Sequence, residues 1–200
     1  MKKTKLLTML GAVALIGAIG VGSTLAYLSD TTDVVENTFT VGKVEISLDE
    51  TDNDNPSGDR VTENEYTNMI PGTTYTKDPT VHVTNDSEDC YVFVKITGIK
   101  EIENADGTIA VVSTDEMLTV NGFNANLEKV AGTEDIYKYT IKVEKVNQND
   151  NDIKIFDSIT LNKDVEGGEP NEITVRAFAI QAGGDITDAE MAAEATNALK

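Results

Sequence analysis

The chain has 200 residues, of which 40% are hydrophobic, enough for one ordinary core and too few for two sizeable domains. Its formal charge of −19 repels nucleic acid and anionic lipid headgroups, so neither is expected as a partner. Cys90 is the single cysteine, which excludes an intramolecular disulfide, and with Trp absent and His82 the lone histidine there is little material for metal or nucleophilic chemistry.

Lys2, Lys3 and Lys5 open a run, Leu6 to Leu25, of apolar or small residues, and Thr24-Leu25-Ala26 puts small side chains at the −3 and −1 positions of a cleavage site. Residues 1–26 are expected to be a signal peptide cut after Ala26 by a signal peptidase, with Thr24 and Ala26 as its recognition residues, and the product is expected to be secreted. A retained membrane anchor is the competing reading, since about 20 apolar residues can span a bilayer. Gly11, Gly17, Gly20, Gly22, Ser23 and Thr24 interrupt the run, and no basic stop-transfer cluster follows it. Neither a lipobox cysteine nor a C-terminal sorting motif is present, so no stable membrane anchor is expected after cleavage. Losing the three lysines takes the formal charge from −19 to about −22.

Residues 27–37, beginning Tyr27-Leu28-Ser29-Asp30, are too poor in apolar side chains to pack by themselves. Residues 38–200 are expected to form the folded domain. Phe39, Val41, Val44, Ile46 and Leu48 alternate with polar residues across Gly42-Lys43, which predicts a strand bent or bulged at the glycine. Residues 49–68 are dense in turn formers and predict a loop. Thr80–Thr84 and Cys90–Thr97 predict two strands separated by Asn85-Asp86-Ser87-Glu88-Asp89, in the manner of a hairpin. Further runs lie at 109–112, 117–120, 137–146, 153–161 and 173–182, each bounded by Asn, Asp or Gly. Eight or nine short strands without helical periodicity predict an all-β fold, an antiparallel β-sandwich in preference to a closed barrel, with Phe39, Val92, Val94, Ile96, Ile141, Val175 and Phe178 in its core. Cys90, at the head of an apolar strand, is expected to be a buried hydrophobe.

A helix is predicted only at the C-terminus. Thr187-Asp188-Ala189-Glu190 fits a capping box, and Met191, Ala195 and Leu199 form a narrow apolar face expected to pack on a sheet edge.

Thr24-Leu25-Ala26-Tyr27-Leu28-Ser29-Asp30-Thr31 followed by Asn37-Thr38-Phe39-Thr40-Val41-Gly42 resembles the TasA/camelysin (CalY) family of signal-peptidase-W-dependent secreted biofilm matrix proteins. Residues 70–81, Cys90–Ile96 and Thr174–Ala182 are similar as well, whereas 98–170 matches least. The resemblance implies a jelly-roll-like sandwich, export by a dedicated signal peptidase, and deposition in an extracellular matrix.

The camelysin branch of that family is often labelled a metallopeptidase, an activity the residues support poorly. A catalytic zinc commonly needs two or three histidines with a Glu base, as in His-Glu-x-x-His, and His82 stands alone outside any such motif. No nucleophile elbow accompanies His82 or Cys90, so no enzymatic activity and no catalytic residue are expected. The acidic loop leaves two readings open: Asp49, Asp52, Asp54 and Asp59 could ligate calcium, the one cofactor worth considering, or simply form a solvated loop. The run lacks the sixth-position glycine and closing glutamate of an EF-hand.

The leading functional expectation is a structural matrix protein that self-associates, or associates with related matrix subunits, by donor-strand exchange. Cleavage would free residues 27–37, and Tyr27, Leu28, Val34 and Val35 could anchor that segment on a neighbour's sheet. A frayed tail is the plain alternative for the same residues. A monomeric secreted adhesin or binding module is the second functional reading, and a camelysin-type metallopeptidase the third.

Overall fold

The computed structural model describes residues 43–145 and 152–200. Twelve short strands and one helix occur among them: β1 (Ile46–Asp49), β2 (Thr74–Thr76), β3 (Thr80–Val83), β4 (Cys90–Thr97), β5 (Ile99–Glu103), β6 (Ile109–Ser113), β7 (Leu118–Asn121), β8 (Leu127–Lys129), β9 (Ile136–Tyr139), β10 (Asp152–Lys154), β11 (Ser158–Leu161), β12 (Thr174–Gln181) and α1 (Asp188–Ala198). All ladders are antiparallel and form three sheets, ordered β1-β3-β10, β2-β11-β7-β6-β5 and β12-β4-β9-β8. The expected all-β sandwich with a C-terminal helix is therefore the observed architecture.

The first two sheets are joined by one bent pair of chain segments. Tyr75 pairs with Ile159 in one sheet and Val81 with Ile153 in the other. Between them lie Lys77-Asp78-Pro79, where the Ile155 amide bonds the Pro79 carbonyl at 2.9 Å but Pro79 has no N–H to return. Ile155 and Phe156 are both fully buried, so the inward-outward alternation slips at this bend. The run 153–161 consequently yields two strands in two sheets rather than the single strand expected.

Inward side chains of all three sheets meet in one core. Val81 and Ile153, then Leu118, Val120 and Ile159, pack with Val92, Val94 and Ile96 of β4. The opposite face of the β4 sheet is also buried: Phe93, Ile136 and the partly buried Phe178 pack beneath Met191, Ala195 and Leu199 of the C-terminal segment. The helix thus covers a sheet face and not, as its narrow stripe suggested, a sheet edge. Its capping box forms as expected, with the Thr187 hydroxyl accepting from the Glu190 amide and the Glu190 carboxylate accepting from the Thr187 amide. Lys138 reaches Asp188 at 2.7 Å and Arg176 donates to the Lys200 carbonyl at 2.9 Å, holding the segment at both ends.

Other expectations are corrected. β3 and β4 are not a hairpin, because the link between them leaves the sheet: buried Ser87 takes the Glu45 amide and donates to its carbonyl, turning the chain toward the second layer. β4 passes to β5 through Gly98, at φ +82°, where a Cβ would stand 2.0 Å from the Glu172 carbonyl oxygen. The strand expected at 137–146 ends at Tyr139, and Val143 adds only an isolated bridge to Cys90. Ile141, expected in the core, is 50% exposed, and Val175 and Phe178 are half-buried, whereas Val92, Val94 and Ile96 are fully buried. Phe39 and the glycine bend at Gly42 lie outside the described residues.

Candidate functional site

The outer face of the β1-β3-β10 sheet carries a cluster of linked charges. Leu48, Val81 and Ile153 point inward, so by strand alternation Asp49, His82 and Asp152 share the outer face. The His82 ring lies between two carboxylates, with Nδ1 at 2.6 Å from Asp152 Oδ1 and Nε2 at 2.9 Å from Asp49 Oδ1. Burial works against charging this imidazole, but hydrogen bonds to Asp49 and Asp152 outweigh it and raise its pKa above the ordinary 6.5.

Arg60 completes the cluster from the acidic loop. Its Nε donates to Asp49 at 2.5 Å and its Nη1 to Asp78 at 3.1 Å, while Nη2 donates to the Asp78 carbonyl and to the Thr80 hydroxyl. Asp78 also accepts from the Thr51 amide and hydroxyl. Burial would raise the carboxyls of Asp49 and Asp78. Contacts with Arg60 and His82 at Asp49, and with Thr51 and Arg60 at Asp78, instead hold both below the usual 3.8. The arrangement is an ionic clamp: it ties the loop to the bend before β3 and ties both flanking strands to β3. An imidazole with both nitrogens committed to carboxylates has no free lone pair for a metal or a substrate proton.

Among the described residues, the four acids considered for calcium do not converge on one another. Asp49 faces Arg60 and His82; Asp52 accepts from the amides of Asp54 and Asn55, closing an Asx-type turn; Asp54 and Asp59 are exposed. Among the described residues, no group of three or more His, Cys, Asp or Glu side chains is disposed to hold a metal ion. Cys90 is fully buried, and burial, with Asp89 adding to it, pushes its thiol up to about 11, as befits an inert core residue. Arg60, Asp78 and Asp152 carried no local signal in the sequence; the β3–β10 register brings Asp152 to His82, and Arg60 and Asp78 join the cluster through Asp49 from the loop and the bend. Thr24, Ala26, Tyr27, Leu28, Val34 and Val35 lie outside the described residues.

A second feature lies on the side of the sandwich where β1 and β12 approach each other. A groove of about 540 Å³ is floored by Leu48, Tyr66, Met69, Leu118, Ile159 and Val175. Glu63, Glu65 and Glu172 line its margin, exposed, and no cation among the described residues pairs with any of them. Lys77, also in the lining, is bonded to Glu50 at 3.0 Å. Beside the groove runs β12, whose eight residues pair with β4 on one side only among the described residues.

No helix among the described residues is long and apolar enough to cross a membrane. Comparison with protein-family models, curated proteins and solved structures gives no match.

Proposed function

We propose that this chain is a secreted structural subunit of an extracellular matrix, joined to its neighbours by donor-strand exchange through residues 27–37. The observation that carries the reading is the edge of β12. Eight consecutive residues with one side free of pairing among the described residues offer a row of backbone donors and acceptors to an added strand. The apolar groove alongside would take the side chains that point into the sandwich. The basic, apolar leader and the resemblance to matrix proteins of the TasA/camelysin family support export, and the committed ring of His82 favours a structural role over a peptidase.

The test compares the secreted chain with a version lacking Tyr27–Val35, by size-exclusion chromatography and negative-stain microscopy. The intact chain is expected to polymerise as salt rises from about 0.01 to about 0.15 M, which shortens screening from ~30 to ~8 Å. The shortened chain is expected to stay monomeric with an unchanged melting temperature. Fibres that persist after the deletion overturn the reading, and an intact chain that is monomeric throughout points to a binding module.

A further inference from the structure

The charge on the groove distinguishes between the strands that could enter it. The floor is apolar, and Leu118 and Ile159 at its base belong to the buried core. The margin carries Glu63, Glu65 and Glu172, all exposed and all without a cationic partner among the described residues. Elsewhere on the surface the lysines are largely matched to acids, as in Lys100 with Glu116, Lys138 with Asp188 and Lys145 with Glu88. The groove thus gathers unmatched negative charge around an apolar trough. The segment 27–37 of the same chain contains Asp30, Asp33 and Glu36 and no basic residue, so a second copy's segment brings like charge to like.

We propose that the groove between β1 and β12 accepts an extended segment from a different protein, apolar along one face and lysine- or arginine-bearing at its flanks, in preference to the chain's own acidic N-terminal segment. The inference rests on the strand-addition reading of this side of the molecule. An added strand alternates its side chains, so one set enters the trough while the other stays near the margin, where opposite charge is attracted and like charge repelled. Self-addition then depends on salt to screen the margin, whereas a basic partner binds best when salt is low.

Two labelled peptides test this by fluorescence anisotropy against the intact secreted chain. One has the sequence of residues 27–37; the other carries D30K, D33K and E36K in the same sequence, so that its apolar residues are unchanged. At about 0.05 M salt the lysine peptide is expected to bind at least tenfold more tightly, the advantage shrinking at about 0.5 M. A chain with Glu63→Gln, Glu65→Gln and Glu172→Gln should lose about tenfold in affinity for it, as expected for three surface ion pairs. A control with Glu103→Gln, Glu128→Gln and Glu194→Gln should bind it as the unaltered chain does. Equal losses in the two variants would mean attraction to the overall negative charge and would overturn the proposal. Tighter binding of the 27–37 peptide overturns it while leaving self-donation standing. Binding of neither peptide overturns strand addition at this groove as well.

Discussion

His82 Nε2 lies 2.9 Å from Asp49 Oδ1, diagonally across the β1–β3 ladder, while the other ring nitrogen meets Asp152 on β10. One side chain of the central strand therefore fastens both strands that flank it, and does so best when positively charged.

The pH dependence of stability follows from that geometry. The His82 pKa is raised in the folded protein, so its contribution is complete below its ordinary value of 6.5 and is lost as pH rises through the raised value. Asp49 and Asp78 are lowered, so theirs is present above 3.8 and is lost as pH falls through the lowered values. Thermal melts from pH 6 to pH 9 should show the unaltered chain losing stability while His82→Asn loses markedly less. Parallel curves for the two proteins would remove His82 from the clamp.

Arg60 should matter more than its position in a loop suggests. Among the described residues, it is the one side chain that reaches Asp49, Asp78 and Thr80 together. Arg60→Ala is expected to cost about 2 kcal/mol by urea unfolding, discounted for partial exposure, because it leaves Asp78 short of a charged donor. Arg60→Lys should recover only part of this, since an ammonium cannot span the same set of acceptors. Full recovery by lysine would mean that charge alone, without the planar fork, holds the loop.

A contrast inside the sandwich tests the strand phase. Val94 is fully buried among core residues of both layers, and Ile141 is 50% exposed beyond the end of β9. Val94→Asp should cost about 4 kcal/mol or more by burying an unpaired carboxylate, enough to unfold a protein of ordinary stability. Ile141→Asp should shift the midpoint little. Similar behaviour of the two variants would contradict the inward assignment of Val94.

The strands that sequence revealed are those whose burial matches a simple pattern. Cys90-Tyr91-Val92-Phe93-Val94-Lys95-Ile96 reads as a strand because it is almost continuously apolar, and the reason for that continuity is burial on both faces, by the core on one and by Met191 and Ala195 on the other. That continuity was also the available sign that the helix must cover a face. β2, β5 and β8 are hard to read from sequence because Thr74-Tyr75-Thr76, Ile99–Glu103 and Leu127-Glu128-Lys129 are short outer strands with few apolar residues; β5 and β8 pair with the next strand in the chain, and only β2 depends on a partner distant in sequence. The break between β10 and β11 was hidden because Ile155 and Phe156 keep the run apolar while the backbone changes sheet. His82 stood out only as a solitary histidine. Its carboxylate partners stand 33 and 70 positions away, on strands either side of it, a pairing that follows from register and that no local motif encodes.

The C-terminal helix supplies the last prediction, which concerns how much of the second layer depends on it. Its polar outer side contributes little, and it is short enough that isolated helix formation would be marginal. Its stability comes from docking: Met191, Ala195 and Leu199 are buried against Phe93 and Ile136, and Lys138 and Arg176 hold its two ends. Removing the Thr187 hydroxyl by Thr187→Ala should cost about 1 kcal/mol through loss of the cap on the first turn. Met191→Ala should cost more, roughly 2–3 kcal/mol, because it opens a cavity over Phe93 that the rigid sheet beneath cannot close. Both variants should leave hydrogen-exchange protection of the β1–β3 ladder intact while lowering that of β9 and β12, since those strands lie under the helix and the ladder belongs to the other layer. Uniform loss of protection across both layers would show instead that the helix-covered sheet and the rest of the sandwich unfold as one unit.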